Sequence, residues 1–376
     1  IIGIYKKLSY KNKTSFMKIL QINYNLGAGG AERFVVDLSN ELCKDNEVVV
    51  CTILDDRNIK NTFHKQFLSK KIRYINLGCK TGLCLQSVKG VIEVIKKEKP
   101  DVVHGHQVSP LLIIPSFIFP KIRFVTTLHN LAEKCLSFPC EKIINRYLFK
   151  HKKIIPVTIS DICYDSFVKL YNIKGAYKID NGRTLPVKTL NYESVKQEIE
   201  SYKKHPDDLV FIHVARFCPQ KNQKVLIDVF NKLSDNRLIL IVLGEKFDTV
   251  GKYLKDLSKN HIYFLGAKNN VADYLLNSDF FCLTSLWEGL PISLLEAIAC
   301  KVIPVCTPVG GIPNVITDGV TGFLSKDCDN ASYLETVIRA IKLKKNINRD
   351  LLKEEYLKYF SMECCVSKYY NIYIHG

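Results

Sequence analysis

The chain has 376 residues, 47% hydrophobic and 24% charged, which excludes a disordered or fibrous polypeptide and favours two globular domains over one. Lys and Arg number 54 against 37 Asp and Glu, a formal net charge of +17. The basic residues are spread along the chain and belong to no nucleic-acid-reading module, so no nucleic-acid partner is expected; the charge suits an anionic membrane or a phosphorylated substrate, or is simply a lysine-rich surface of biased composition, and alone decides little.

Residues 1–16 are mixed and basic, without an apolar run of signal-peptide length, and are expected to be an N-terminal extension. No run reaches the length of a membrane span; the most apolar stretch, Leu111 to Phe119, is short and broken by Pro115. A cytoplasmic protein with at most peripheral membrane contact is expected. The 14 cysteines form no CxxC pair and often sit in apolar runs, as Cys282, Cys300 and Cys306 do. They read as small buried hydrophobes in a reducing compartment.

Short β-rich runs alternate with amphipathic stretches, the signature of βαβ units and parallel sheets. In the first half the predicted strands are 17–23, 47–54, 72–77, 101–106, 122–129, 154–160 and 176–180, with helices such as Ala31 to Cys43 and Gln86 to Lys97 between them. Ser160-Asp161 is a helix N-cap signal. A second series runs through 209–215, 237–244, 261–266, 279–285, 302–307 and 322–325. The turn-rich segment from Asn181 to Pro186 marks the boundary. The expected division is an N-terminal domain over 17–184, a C-terminal domain over 185–357 and a terminal helix over 358–376. Two doubly wound domains in tandem turn the carboxyl ends of their strands toward a shared cleft, where ligands bind.

The motifs fall at those strand ends. Gly27-Ala28-Gly29-Gly30-Ala31-Glu32 joins the first strand to the first helix; it resembles a phosphate-cradling loop but is neither GxGxxG nor a P-loop, and by itself is equally a tight turn. His213-Val214-Ala215-Arg216-Phe217-Cys218-Pro219-Gln220-Lys221-Asn222 ends the first strand of the second series. Arg216 and Lys221 flank a turn there, and two cations at a strand end can neutralise a diphosphate and stabilise its departure.

The segment Glu288-Gly289-Leu290-Pro291-Ile292-Ser293-Leu294-Leu295-Glu296 follows a strand and opens a helix. Pro291 suits the first helical position, Gly289 permits close approach of a ligand, and unpaired amides at the helix start suit an anion. Glu288 can accept from sugar hydroxyls, and Glu296, one turn beyond Ile292 and pointing back toward the helix start, from ribose hydroxyls. Val309-Gly310-Gly311-Ile312-Pro313 is a further Gly-rich turn, expected to let the chain pass close to the donor.

Together these motifs, with DGVTGFL and the closing FSMECCVSKYYNIY, resemble the retaining nucleotide-sugar glycosyltransferases of family 4, of GT-B architecture. The resemblance runs over most of the chain and is most specific in the second half. It implies an α/β fold of two Rossmann-like doubly wound domains facing a central cleft, and a terminal helix crossing back onto the first domain. It implies that Glu288 contacts the donor sugar, Glu296 the ribose, and Arg216 with Lys221 the diphosphate. Gly289, Leu290 and Pro291, with Gly310 and Gly311, would line the donor. Gly29 and Gly30 would face the donor phosphates and the acceptor, and His129 would reach the reacting sugar. The donor is a substrate and no cofactor is implied; a UDP-sugar is favoured over a GDP-sugar, although residues 266–270, where the base sits in such folds, do not distinguish them. The implied acceptor is a glycan or a lipid-linked glycan in bacterial surface polysaccharide assembly. Asn181-Gly182-Arg183 departs from the Asn-Gly-Val-Asp common in the family, and is read as hinge rather than active site.

Two other patterns invite metal. Asp327-Cys328-Asp329 has a DxD form but follows a late Gly-rich turn, and is read as a loop and helix cap. His104-Gly105-His106 puts two histidines on one strand face without an evident third ligand, and is read as packing near the cleft. No metal site is therefore expected. The competing readings are a sugar-nucleotide epimerase of the same architecture, which should lack the EGLPISLLE segment beside an R-x4-K pair, and a catalytically silent transferase subunit.

Overall fold

The computed structural model describes residues 16–233 and 237–376. The expected extension over 1–16 lies almost wholly outside the described residues.

The first half is a seven-stranded parallel sheet in the order β3-β2-β1-β4-β5-β6-β7. Its elements are β1 (Lys18–Asn23), α1 (Gly30–Leu42), β2 (Glu47–Leu54), β3 (Arg73–Cys79), α2 (Leu85–Glu98), β4 (Val102–His106), α3 (Ser109–Ile118), β5 (Arg123–Leu128), α4 (Glu141–Lys150), β6 (Ile155–Thr158), α5 (Asp161–Tyr171) and β7 (Tyr177–Lys178). The strands read as near-continuous apolar runs because helices cover both faces of the sheet, and EVVVCTIL of β2 is buried from Val48 to Ile53. Ser160 caps α5, its hydroxyl accepting from the Cys163 amide. Pro115 lies inside α3 without ending it.

The second half carries α6 (Tyr192–Tyr202), β8 (Leu209–Val214), α7 (Gln223–Lys232), β9 (Leu238–Leu243), α8 (Lys252–Leu257), β10 (Ile262–Gly266), α9 (Val271–Leu276), β11 (Phe280–Leu283), α10 (Ile292–Ala299), β12 (Ile303–Cys306) and β13 (Phe323–Leu324). Its strands form a six-stranded parallel sheet in the order β10-β9-β8-β11-β12-β13. Then come α11 (Asn330–Leu343), α12 (Arg349–Glu355), a π-helical turn over Tyr356–Phe360, and α13 (Met362–His375).

In each sheet the strand order reverses once, between β1 and β4 and between β8 and β11. Crevices at such reversals are where open α/β sheets bind ligands. The Gly-rich loop follows β1, the Arg216–Lys221 turn follows β8 and the Glu288 segment follows β11, so all three motifs lie at reversal points.

Helix α13 packs on α1, and one continuous apolar cluster includes residues of α1, α13, α10 and both sheets, for example Phe34, Tyr369, Leu295 and Phe211. The link is also polar: the Arg183 amide donates to the Phe360 carbonyl at 2.9 Å, and the Met362 amide donates to the Arg183 carbonyl at 3.1 Å. All fourteen cysteines are free; Cys282 and Cys306 are buried, whereas Cys300 is only half-buried and Cys140 is exposed. Among the described residues no helix is long and apolar enough to cross a membrane.

Candidate active site

A cleft cavity of about 600 Å³ lies between the carboxyl ends of the two sheets. Gly29, Gly30 and His129 line it from the first half, and Arg216, Lys221, Gly289, Leu290, Pro291, Glu288 and Glu296 from the second.

On the first side, Gly29 is the extended N-cap of α1 and Gly30 its first residue. A side chain at Gly29 would collide with Glu32, whose carboxylate folds back to within 2.0 Å of where a Cβ would sit. Burial raises the Glu32 carboxyl above its usual range, opposed by its own backbone amide and by the Arg216 charge across the cleft. Gly30 lies against Ile292, its ideal Cβ 3.6 Å from the Ile292 side chain. The N-termini of α1 and α10 therefore meet at the cavity, and both present amides without intrahelical acceptors.

On the second side, Pro291 is the N-cap of α10 rather than its first helical residue: its ψ of 123° is extended and the helix begins at Ile292. The proline ring sets only φ, and a φ near −70° suits either position. Its carbonyl accepts from the Leu294 and Leu295 amides at 3.2 and 3.4 Å.

Glu288 is buried and accepts from Lys221 Nζ at 2.5 Å, Ser285 Oγ at 2.6 Å and Gln220 Nε2 at 3.3 Å. Arg216 is exposed in the cavity and makes no ion pair among the described residues, which leaves its guanidinium free for an anion. His213, earlier in the same segment, is buried and bonded to the Cys282 carbonyl at 2.9 Å, a structural contact.

Gly310 and Gly311 do not line the cavity. They support it from behind: at φ +62°, Gly310 would place a Cβ 2.0 Å from the Glu288 carbonyl oxygen, and the Gly311 amide donates to the Gly289 carbonyl at 2.6 Å. The close approach they permit is to the Glu288-Gly289 backbone rather than to a donor. Gly289 in turn packs on the first half, its ideal Cβ 3.2 Å from the His129 carbonyl oxygen.

The hinge reading of Arg183 needs correction. Arg183 lines the cavity, is buried, and places Nη2 2.7 Å from Glu296 Oε1 while Nη1 pairs with Asp37 of α1. Asp37 also holds Arg33 Nε at 3.1 Å. The network Arg33–Asp37–Arg183–Glu296 thus ties α1 to α10, and Glu296 meets the cavity with one oxygen already engaged. The sequence signal was the departure from the family pattern itself: a long cation where a small apolar residue is usual must find an anion when buried. Arg33 and His64 were missed as well, and nothing in their sequence context marks them. His64 lies on the wall of the first half with a buried, unpartnered Nδ1, its pKa lowered to about 3 by burial and by the nearby Arg33 and Arg183 charges.

Asp329 caps α11, accepting from the Ser332 amide, so the DxD pattern is a helix cap. His104 and His106 are buried, and their ring nitrogens bond to Tyr373, Thr127, His129 and Gln21. Burial lowers the pKa of His129 to about 3 and keeps His104 and His106 well below the ordinary imidazole value, so all three are neutral at pH 7.

Two family profiles match the chain, Glycosyltransferase Family 4 over residues 28–171 and Glycosyl transferases group 1 over residues 194–356. The chain is 28% identical to the N-acetyl-alpha-D-glucosaminyl L-malate synthase of Bacillus anthracis, over 75% of this chain and 76% of that one. It is 26% identical to the UDP-Gal:alpha-D-GlcNAc-diphosphoundecaprenol alpha-1,3-galactosyltransferase of Escherichia coli, over 77% and 79% of the two chains. The capsular polysaccharide biosynthesis glycosyltransferase CapH of Staphylococcus aureus is 28% identical over 75% and 78%. Among solved structures, Anabaena HepE in complex with UDP and glucose superposes with a TM-score of 0.78 at 18% identity, covering 95% of this chain and 99% of that one. A glycosyltransferase from Rickettsia africae superposes with a TM-score of 0.79 at 18% identity, covering 96% and 100%. With both halves matched and the two parallel sheets arranged about one cleft, the chain belongs to the family 4 glycosyltransferases of GT-B fold.

Proposed function

We propose that this glycosyltransferase moves a sugar from a nucleotide-diphosphate donor, UDP ahead of GDP, to a glycan or lipid-linked acceptor with retention at the anomeric carbon and without a metal. The observation that carries the proposal is the convergence of Arg216, Lys221, Glu288, Glu296, His129 and two helix N-termini on one cavity. Arg216, Lys221 and the α10 amides hold the diphosphate, Glu296 accepts from the ribose, and Glu288 and His129 meet the sugar. As the bond from the anomeric carbon to the phosphate oxygen breaks, its electron pair goes to the diphosphate, whose charge those donors stabilise. The acceptor oxygen bonds to the same face of an oxocarbenium-like carbon and passes its proton to a donor phosphate oxygen. Gly29 and Gly30 let acceptor and phosphates approach the start of α1. UDP in the HepE complex supports uridine as the base.

The setting proposed is bacterial surface polysaccharide assembly at the cytoplasmic face of an anionic membrane, in keeping with the capsule and diphosphoundecaprenol relatives. The outer faces of α3 and α4 suit such a surface. Ile114, Phe117, Ile118, Ile143 and Tyr147 are exposed there, beside exposed Lys142, Arg146 and Lys150, which make no ion pair among the described residues.

The test is thermal stability against UDP, GDP, ADP and CMP, with and without EDTA, using Glu296→Ala and Lys221→Ala as controls. A ligand that binds only the folded state raises stability by RT ln(1 + [L]/Kd). A shift with UDP that survives EDTA and disappears in both variants supports the reading. No shift with any nucleotide at millimolar concentration favours a silent subunit. Liposome flotation at low salt tests the membrane part, which fails if anionic lipid is not preferred.

A further inference from the structure

Behind His129 the first sheet carries a chain of buried polar side chains that no donor or acceptor contact explains. His104 and His106 project from one face of β4. Gln21 pairs in register with His104 across the β1–β4 junction, and Gln21, His104 and His106 are all fully buried. His129 Nε2 lies 3.1 Å from His106 Nδ1, and His106 Nε2 lies 2.7 Å from Gln21 Oε1. The Gln21 amide nitrogen donates to Tyr373 Oη of α13 at 3.5 Å, and Tyr373 Oη is 2.7 Å from His104 Nδ1. The His106 and His129 rings lie edge to edge, 26° from coplanar with 5.3 Å between centroids, as the hydrogen bond between their nitrogens requires, and the Phe34 ring meets His129 edge-on at 5.2 Å. The imidazole of His129 is therefore clamped by apolar contact on one side and by a hydrogen bond on the other.

A buried chain of this kind is stable only where donors and acceptors alternate. An amide oxygen only accepts, so His106 Nε2 carries the proton. In a neutral imidazole the other nitrogen is then an acceptor, so His106 Nδ1 takes its hydrogen bond from His129 Nε2–H. His129 Nδ1 is left bare, and it has no hydrogen-bond partner among the described residues of the protein. We propose that His106, held by Gln21, is a positioning residue that fixes His129 as the Nε2–H tautomer and offers its Nδ1 to the cavity as the acceptor for a donor-sugar hydroxyl. The proposal rests on the reading that His129 meets the donor sugar.

Long-range proton–nitrogen correlation on ¹⁵N-histidine protein without ligand tests the tautomer, with the His129 signals identified by their loss in His129→Gln. A protonated Nε2 with a bare Nδ1 is expected. An Nδ1–H form, which the opposite orientation of the Gln21 amide would produce by reversing every proton in the chain, overturns the proposal, as does a mixture. Kinetics test the positioning. His106→Phe keeps an aromatic ring at that position but removes the acceptor, and turnover is expected to fall about three- to tenfold, the worth of one neutral hydrogen bond. The Kd for UDP, which has no transferred sugar, is expected to stay unchanged, and His106→Asn to recover part of the loss. Full turnover in His106→Phe, or an equal loss of UDP affinity, overturns the positioning role. Full turnover in His129→Gln would instead refute the sugar contact and leave the tautomer result standing.

Discussion

Replacing Arg183 with Met keeps an unbranched chain of similar length and removes the charge that joins α1 to α10. The backbone bonds of residue 183 to Phe360 and Met362 survive the change. Removing one partner of a buried pair costs about 3–5 kcal/mol when the remaining charge is stranded. Here neither partner is fully stranded: Asp37 keeps Arg33, and the Glu296 side chain is 14% exposed on the cavity wall. The expected loss is accordingly about 2–3 kcal/mol. With an unfolding entropy of about 2.1 cal/mol/K per residue, that loss lowers the melting temperature by roughly 3 °C. The assay is a thermal melt of the parent, Arg183→Met, Glu296→Gln and the double variant. A coupling of about 0.5–3 kcal/mol is expected between residues in one ion-pair network. UDP binding should also weaken in Arg183→Met, because Glu296 loses the contact that orients it. Unchanged melting in Arg183→Met, or single effects that simply add in the double variant, would refute the assignment of Arg183 as the tie between the halves.

Lys221→Ala is expected to lower transfer about 10²–10³-fold, as loss of one oxyanion-type donor does, and radiolabelled sugar incorporation measures it. Gly310→Ala forces a side chain into φ +62° and onto the Glu288 carbonyl, so a lower melting temperature together with lost transfer is expected. Acid should destabilise the fold. Burial lowers the pKa of His129 and His64 to about 3 and of His213 to about 4, so below pH 6.5 the unfolded chain takes up protons that the folded one refuses. Their contribution is fully present above pH 6.5 and is lost as the pH falls through about 4 for His213 and about 3 for His129 and His64; urea midpoints across that range should decline, and a flat profile would contradict it.

Much of the architecture was legible in the sequence because parallel strands buried on both faces leave unmistakable apolar runs, and because Gly and Pro mark the strand ends. EVVVCTIL forms β2 over the expected residues, and the Glu288 segment opens α10 within one residue of the expected start. The carboxyl-end rule for α/β sheets turns the Arg216–Lys221 turn and the Glu288 segment toward one cleft, and Arg216, Lys221, Glu288 and Glu296 line one cavity there.

Other features depend on which strands and helices become neighbours, and no local pattern encodes that. Arg183 looked like hinge because its two anions, Asp37 and Glu296, are far from it in the chain and meet it only when α1 and α10 face each other. Gly310 and Gly311 looked like donor contacts because a Gly-rich turn announces close approach without saying to what. His104 and His106 looked like packing, yet the strand order sets them beside Gln21, and α13 brings Tyr373 from the far end of the sequence. Residue type and periodicity thus determined the elements and the chemistry at the strand ends, whereas the charge network and the histidine chain were decided by long-range packing, which alone brings their members within hydrogen-bond reach.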